Sequence, residues 1–270
     1  RFYDPQFTIP HPRLDRSKIC PSSFDHEHDE RKQPEHTSNN CFVFLSNFKW
    51  EYRKGWDILL KSYFTSFTNK DNVVLVLKTY LYMDPEPKNP KRIRNKIFEW
   101  IKTEPSLRHR DVTTLPKIEI VPEDLPSFHM PNLYRAADCF VLPTRGEGWG
   151  LPLQEAMTMG LVTIGTAFGG NLDFMPRSGH GQSHFLINVT GMEQLNSFTG
   201  RHERFATKEE IFDENRKSPP LFATPSVDHL SELMTYVAKG GGMPRSERTR
   251  MGRAARWEMT NRFGREHVTE

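Results

Sequence analysis

Two hundred and seventy residues suffice for one large α/β domain or two small ones, and for a core that needs no disulfides or structural metal to fold. Thirty-seven Lys and Arg against 34 Asp and Glu leave a net charge of +3, too balanced to point to nucleic acid or a membrane surface, and no apolar run approaches the roughly 18 residues of a membrane span. Cys20, Cys41 and Cys139 form no CxxC pair and leave an odd thiol, which argues against a disulfide scaffold and against a zinc ribbon.

The chain begins with Arg1, without a signal-peptide pattern, and reads as a fragment or processed piece. The compartment stays open, with the cytoplasm slightly favoured. Residues 1–40 are expected to be a polar linker. Pro21 to Asn40 hold one large apolar residue, Phe24, too little burial to offset the entropy of ordering them. The string DHEHDE, Asp25 to Glu30, is read as a solvated tract rather than a metal site.

From Cys41 the pattern changes. CFVFLS (Cys41 to Ser46) is a short continuous apolar run, the mark of a strand buried on both faces. Trp56, Leu59, Leu60, Tyr63, Phe64 and Phe67 then recur at helical spacing from a start near Gly55. VVLVLK (Val73 to Lys78) predicts a second strand, Ile93 to Lys102 a charged helix, and KIEIV (Lys117 to Val121) a third strand. A short helix over Leu133 to Ala137 precedes a fourth strand, CFVLP, ending at Pro143. LPLQEAMTMG (Leu151 to Gly160) predicts a helix with Pro152 in its first turn, followed by strands LVTIG (Leu161 to Gly165) and HFLIN (His184 to Asn188). This alternation predicts an α/β fold for residues 41–270: a Rossmann-like, doubly wound parallel sheet of about six strands with helices on both faces.

Between Gly191 and Pro225 periodicity vanishes, and an inserted irregular loop is expected. Ser226 is a plausible N-cap for a helix with Val227, Leu230, Leu233, Met234 and Val237 on one face. The last helix, roughly Arg245 to Arg262, carries six arginines. Acidic residues are mixed among them and aromatics are not interleaved, so it reads as a solvated helix at the domain edge and not as a nucleic-acid stripe.

In an open parallel sheet, ligands bind outside the carboxyl ends of the strands. Two loops there stand out. TRGEGWGLPLQEAM (Thr144 to Met157) has Gly146, Gly148 and Gly150, which let backbone approach a ligand closely, and opens a helix whose free N–H groups favour an anion. Glu147 and Glu155 frame it with seven residues between them. A carboxylate accepts two hydroxyl hydrogen bonds, so it suits a sugar or ribose better than a phosphate. SNFKWEYRKGWD (Ser46 to Asp57) crowds Lys49, Arg53 and Lys54 before a helix start, where cations would neutralise a diphosphate. No GxGxxG follows the first strand, which argues against a dinucleotide-dependent oxidoreductase.

Together these segments resemble the carboxy-terminal, donor-binding domain of retaining nucleotide-sugar glycosyltransferases of the GT-B fold, in the group 1, family 4-like set that includes sucrose synthases and many mannosyl- and glucosyltransferases. FVFLSNFKWEYRKGWDILLKSYF is similar to their phosphate-binding start and LYRAADCFVLPTRGEGWGLPLQEAM to their segment with the spaced glutamate pair. GLVTIGTAFGGNLDFM resembles their next strand and loop, and SVDHLSELMTYV and RMGRAARWEMTNRFG their last two helices.

The resemblance implies that Lys49, where the family usually has arginine, and Lys54 grip the donor diphosphate. Glu147 would contact sugar hydroxyls and Glu155 the ribose. Backbone N–H groups of Gly148, Trp149, Gly150 and Leu151 would meet sugar and phosphate, and backbone near Val121 would read the base. Glu147 and Lys54 are the candidate catalytic residues, and Asp173 takes no role. No Asp-x-Asp occurs, so no metal and no cofactor are expected, and an acceptor-binding domain is expected upstream. A non-catalytic nucleotide-binding or interaction module descended from such a domain is the alternative. Asn188-Val189-Thr190 is a glycosylation sequon, meaningful only in a secretory lumen.

Overall fold

A computed structural model describes residues 16–20, 41–81, 84–177, 182–194, 221–240 and 242–264. Six strands form one parallel sheet: β1 (Phe42–Lys49), β2 (Val73–Tyr80), β3 (Lys117–Val121), β4 (Cys139–Leu142), β5 (Val162–Thr166) and β6 (Phe185–Ile187). Their order is β3-β2-β1-β4-β5-β6. The chain winds outward from β1 to β3, then crosses back to set β4 on the other side of β1. The switch in winding direction therefore lies between β1 and β4, where neighbouring crossovers diverge and open a crevice at the carboxyl ends.

Consecutive residues of β1, β2, β4 and β5 are buried, including Phe44, Leu45, Leu75, Leu77, Phe140, Val141 and Ile164, which is why these strands read as unbroken apolar runs. The helices follow the predicted order: α2 (Trp56–Ser66), α3 (Pro90–Thr103), α4 (Met130–Arg135), α5 (Leu151–Thr158), α6 (Val227–Ala238) and α7 (Arg245–Arg262), with α1 the short turn Arg16–Ile19. Asn89 caps α3 by accepting from the Lys91 and Arg92 N–H groups, and Ser226 caps α6 by accepting from His229. α7 buries only Met251, Gly252, Ala255 and Met259, and its arginines lie on the remaining, largely solvated faces. Among the described residues no helix is long and apolar enough to cross a membrane.

The structure departs from the sequence reading in three places. β1 runs to Lys49 instead of stopping at Ser46, because pairing with β2 continues through Asn47–Lys78 and Phe48–Thr79 to Lys49–Tyr80. Within the expected linker, Ile19 and Cys20 are buried in the core. Arg16 donates to Asp138 at 2.6 Å and to the Cys41 carbonyl at 3.0 Å, and Cys20 is joined to Cys41 by a disulfide, leaving Cys139 as the free, buried thiol. The two cysteines are 21 residues apart and carry no local spacing signal, so the cysteine pattern, which argued only against a disulfide scaffold, did not reveal this single bond. The expectation for Pro21 to Asn40 lies outside the described residues. Third, the ends of the expected irregular loop form an antiparallel hairpin, β7 (Val189–Gln194) with β8 (Leu221–Pro225); residues 195–220 lie outside the description. These strands are half-exposed and pair mainly with each other, so they lack the apolar runs that marked the central sheet.

Candidate functional site

The crevice between β1 and β4 is built from two loops stitched together by backbone. The Arg145 N–H donates to the Arg53 carbonyl at 2.7 Å, and the Thr144 hydroxyl bonds the Arg53 and Gly146 carbonyls, each at 3.1 Å. After β1 a single 3-10 turn, Tyr52–Lys54, ends at Gly55, whose φ is +70°. A Cβ at Gly55 would lie 1.8 Å from the Pro143 carbonyl oxygen, so only glycine lets this loop press against the end of β4. That contact sets Lys54 beside the glycine-rich loop.

Lys54 and Glu147 meet there. The ammonium donates to Glu147 Oε1 at 2.6 Å, and the two side chains are 13% and 8% exposed. Arg53 stands next to them, 3.8 Å from Glu147 Oε2, and donates to the Gly146 carbonyl at 2.7 Å. Both candidate catalytic residues thus come together from elements 93 positions apart in sequence. Lys49 is exposed at the tip of β1, on the same edge of the sheet but outside the Lys54–Glu147 pair.

The glycine-rich loop leads into α5 through Gly150, and no side chain caps this helix start. Its positive dipole end therefore faces the crevice with backbone N–H groups to offer. Trp149 points the other way: its ring packs on Phe174 and Phe263, and its indole N–H donates to Gln154. Only its backbone is left for a ligand. Leu151 is exposed at the mouth, and a Cβ at Gly148 would meet nothing within 4 Å. Gly148 thus borders open space, whereas a Cβ at Gly170 would strike the Gly148 carbonyl at 1.9 Å.

Glu155, one turn into α5, accepts a 2.5 Å hydrogen bond from the buried Tyr134 hydroxyl, which Asn47 approaches at 3.5 Å. Burial and the Glu155 carboxylate both push the Tyr134 pKa up, so the tyrosine stays a neutral donor and fixes the carboxylate. Val121 ends β3, fully buried and in register with Lys78. Three strand intervals separate β3 from β4, about 14 Å at ordinary strand spacing. The candidate residues therefore do not converge on one point; they lie along an elongated edge.

Sequence reasoning missed Tyr134 and Arg145. The Arg145 side chain is buried beneath the loop, where it holds Asp57, Glu193 and the Tyr52 carbonyl. Nothing in the string TRGEG distinguishes it from a solvated arginine. Lys78 was likewise read only as the end of a strand. It is 8% exposed, and burial lowers its pKa against the opposing pull of Asp124 and Glu123.

The family model described as "Glycosyl transferases group 1" matches residues 39–196, more than half of the chain. The chain belongs to the group 1 glycosyltransferases. It is 37% identical over 64 residues to sulfoquinovosyl transferase SQD2 of Arabidopsis thaliana, a match spanning 24% of this chain and 12% of that protein. It is 40% identical over 75 residues to a sucrose synthase of Thermosynechococcus vestitus, spanning 26% and 9%. Among solved structures, HepE of Anabaena in complex with UDP and glucose superposes with a TM-score of 0.52 at 15% identity, over 83% of this chain and 45% of that one. Sucrose-phosphate synthase of Thermosynechococcus elongatus gives 0.53 at 16%, over 85% and 43%. The fold is thus the Rossmann-like unit of a GT-B glycosyltransferase, and this chain spans less than half the length of those relatives.

Proposed function

We propose that the chain is the donor-binding half of a retaining glycosyltransferase that moves a hexose from a nucleoside diphosphate sugar to an acceptor held by a second, upstream domain. The observation that carries this reading is the Lys54–Glu147 pair, 2.6 Å apart, at the switch point of the sheet and before the uncapped start of α5. Without ligand, Glu147 balances the Lys54 charge. An arriving diphosphate competes for the ammonium and for the α5 N–H groups, and it releases Glu147 to accept hydrogen bonds from sugar hydroxyls. As the bond from the anomeric carbon to the diphosphate oxygen breaks, charge grows on the leaving group, and Lys54, Lys49 and the helix dipole stabilise it. The acceptor attacks from the face the diphosphate leaves.

Glu155 takes the ribose and backbone near Val121 the base, in keeping with the elongated spread of these positions. Cations and helix dipole together neutralise the diphosphate, so the reading calls for neither metal nor cofactor. The UDP-glucose complex of HepE makes uridine diphosphate hexoses the first donors to try.

Calorimetric titration of nucleoside diphosphates tests the site. Lys54→Ala is expected to weaken binding about ten- to a hundredfold, as for a lost charged hydrogen bond; unchanged affinity in a folded variant removes Lys54 from the site. With the full-length protein, activity should survive EDTA, and NMR of the product should show the donor's anomeric configuration.

A further inference from the structure

We propose that Asn188 carries an N-linked glycan and that the chain folds in an oxidising, glycosylating lumen. Two unrelated features point there. The first is the Cys20–Cys41 disulfide. The two Cα atoms are 5.6 Å apart, within the range for a disulfide, and both residues are buried against the core, at 2% and 5% exposure. The bond fastens α1 to the start of β1, so it belongs to the packed structure and is not an incidental surface contact. Such structural disulfides persist in oxidising compartments and are rare in a reducing cytosol. The third cysteine does not disturb this pairing: Cys139 is fully buried in β4, and burial raises its thiol pKa well above the ordinary value, which leaves little thiolate for exchange.

The second feature is the sequon Asn188-Val189-Thr190. Asn188 is the single residue between β6 and β7, at the outer edge of the sheet, and it is exposed. Its backbone is held on both sides: the N–H donates to His229 Nδ1 at 3.0 Å, and the carbonyl accepts from Ser226 at 2.8 Å. Its side-chain amide makes no hydrogen bond among the described residues, so a sugar on Nδ2 breaks none of these contacts. Thr190, also exposed, supplies the hydroxyl the acceptor motif needs. Asn188 follows the outermost strand, β6, two strands from β4 in the sheet order.

In the modification, Asn188 Nδ2 bonds to the anomeric carbon of an oligosaccharide carried on a polyprenyl diphosphate. The carbon–oxygen bond to the diphosphate breaks, the leaving diphosphate takes the electron pair, and the amide gives up one proton. The disulfide forms by exchange with an oxidised dithiol protein, which accepts the two electrons and two protons of Cys20 and Cys41.

The test expresses the complete natural coding sequence in eukaryotic cells. Peptide:N-glycosidase F should increase gel mobility and leave aspartate at position 188 in the peptide mass spectrum. In Asn188→Gln and Thr190→Ala that aspartate signal at position 188 should be absent, while Thr190→Ser, which retains a hydroxyl, should preserve it. Alkylation in denaturant followed by peptide mass spectrometry should label Cys139 but not Cys20 or Cys41 without reductant, and all three of these after reduction. Unmodified Asn188 in the wild-type peptide overturns the glycan, and labelling of Cys20 and Cys41 before reduction overturns the oxidising compartment; either result sinks the proposal. The Thr190 pair keeps the test decisive if Asn188→Gln fails to fold.

Discussion

The Arg145 guanidinium grips both carboxylate oxygens of Asp57, at 2.7 and 2.8 Å, and so locks the first turn of α2 to the loop that carries Glu147. Its Nε donates to Glu193 at 2.6 Å and its plane covers the Tyr52 ring at 3.6 Å, which adds β7 to the same assembly. Lys54 and Glu147 are held in register by this arrangement beneath them. Arg145→Ala would strand two partly buried carboxylates, and the expected loss is about 3–5 kcal/mol in denaturant unfolding. Arg145→Lys retains the charge but loses the planar fork and should fall between wild type and alanine. A loss within experimental error for Arg145→Ala would show that the assembly does not hold the loops.

Tyr52 offers an alkaline test of the same assembly. Burial, then the Asp57 charge, pushes its pKa from 10 up to about 12. The folded state thus holds the phenolic proton more tightly than the unfolded chain does. Its contribution to stability is complete below pH 10 and is lost as the pH rises from 10 through 12. Unfolding midpoints of wild type and Tyr52→Phe across that window should show a steeper decline for wild type. Parallel curves would mean that Tyr52 titrates as in the unfolded chain.

The sheet was legible because a strand buried on both faces has few polar positions, and CFVFLS, VVLVLK and CFVLP announce themselves that way. The candidate site was legible where unusual residues cluster: glycines before a helix, with one carboxylate in the loop and one in the helix. Arg145, Tyr134 and the Cys20–Cys41 pair were not. Each acts through a partner distant in sequence, and a buried arginine or tyrosine looks the same in a string as an exposed one. The β7–β8 hairpin escaped for a related reason: half-exposed strands that pair chiefly with each other carry mixed polarity.

Two neighbouring glycines should respond in opposite ways. A methyl group at Gly148 meets nothing within 4 Å, whereas one at Gly170 would lie 1.9 Å from the Gly148 carbonyl oxygen. Gly170→Ala should therefore destabilise the fold by about 1–3 kcal/mol through forced backbone movement. Gly148→Val should unfold close to the wild-type midpoint yet bind nucleotide sugar about tenfold more weakly, since on the proposed reading its side chain would occupy the donor's space. Full donor affinity in Gly148→Val would place the ligand elsewhere.

The two glutamates should separate by ligand. Glu147 sits on Lys54 in the loop, where the proposed reading places the transferred sugar beyond the diphosphate, and Glu155 is fixed by Tyr134 one turn into α5. Glu147→Gln should weaken the nucleotide sugar and slow transfer while sparing free nucleoside diphosphate, which carries no transferable hexose. Glu155→Gln should weaken both ligands about ten- to a hundredfold, since both carry the ribose. Tyr134→Phe should reproduce a milder form of the Glu155 defect: the carboxylate remains but is no longer held in place. Amide for carboxylate preserves size, so lost affinity reports charge and hydrogen bonding and not a cavity. Equal damage to free diphosphate binding from Glu147→Gln and Glu155→Gln would refute this division of labour while leaving the fold untouched.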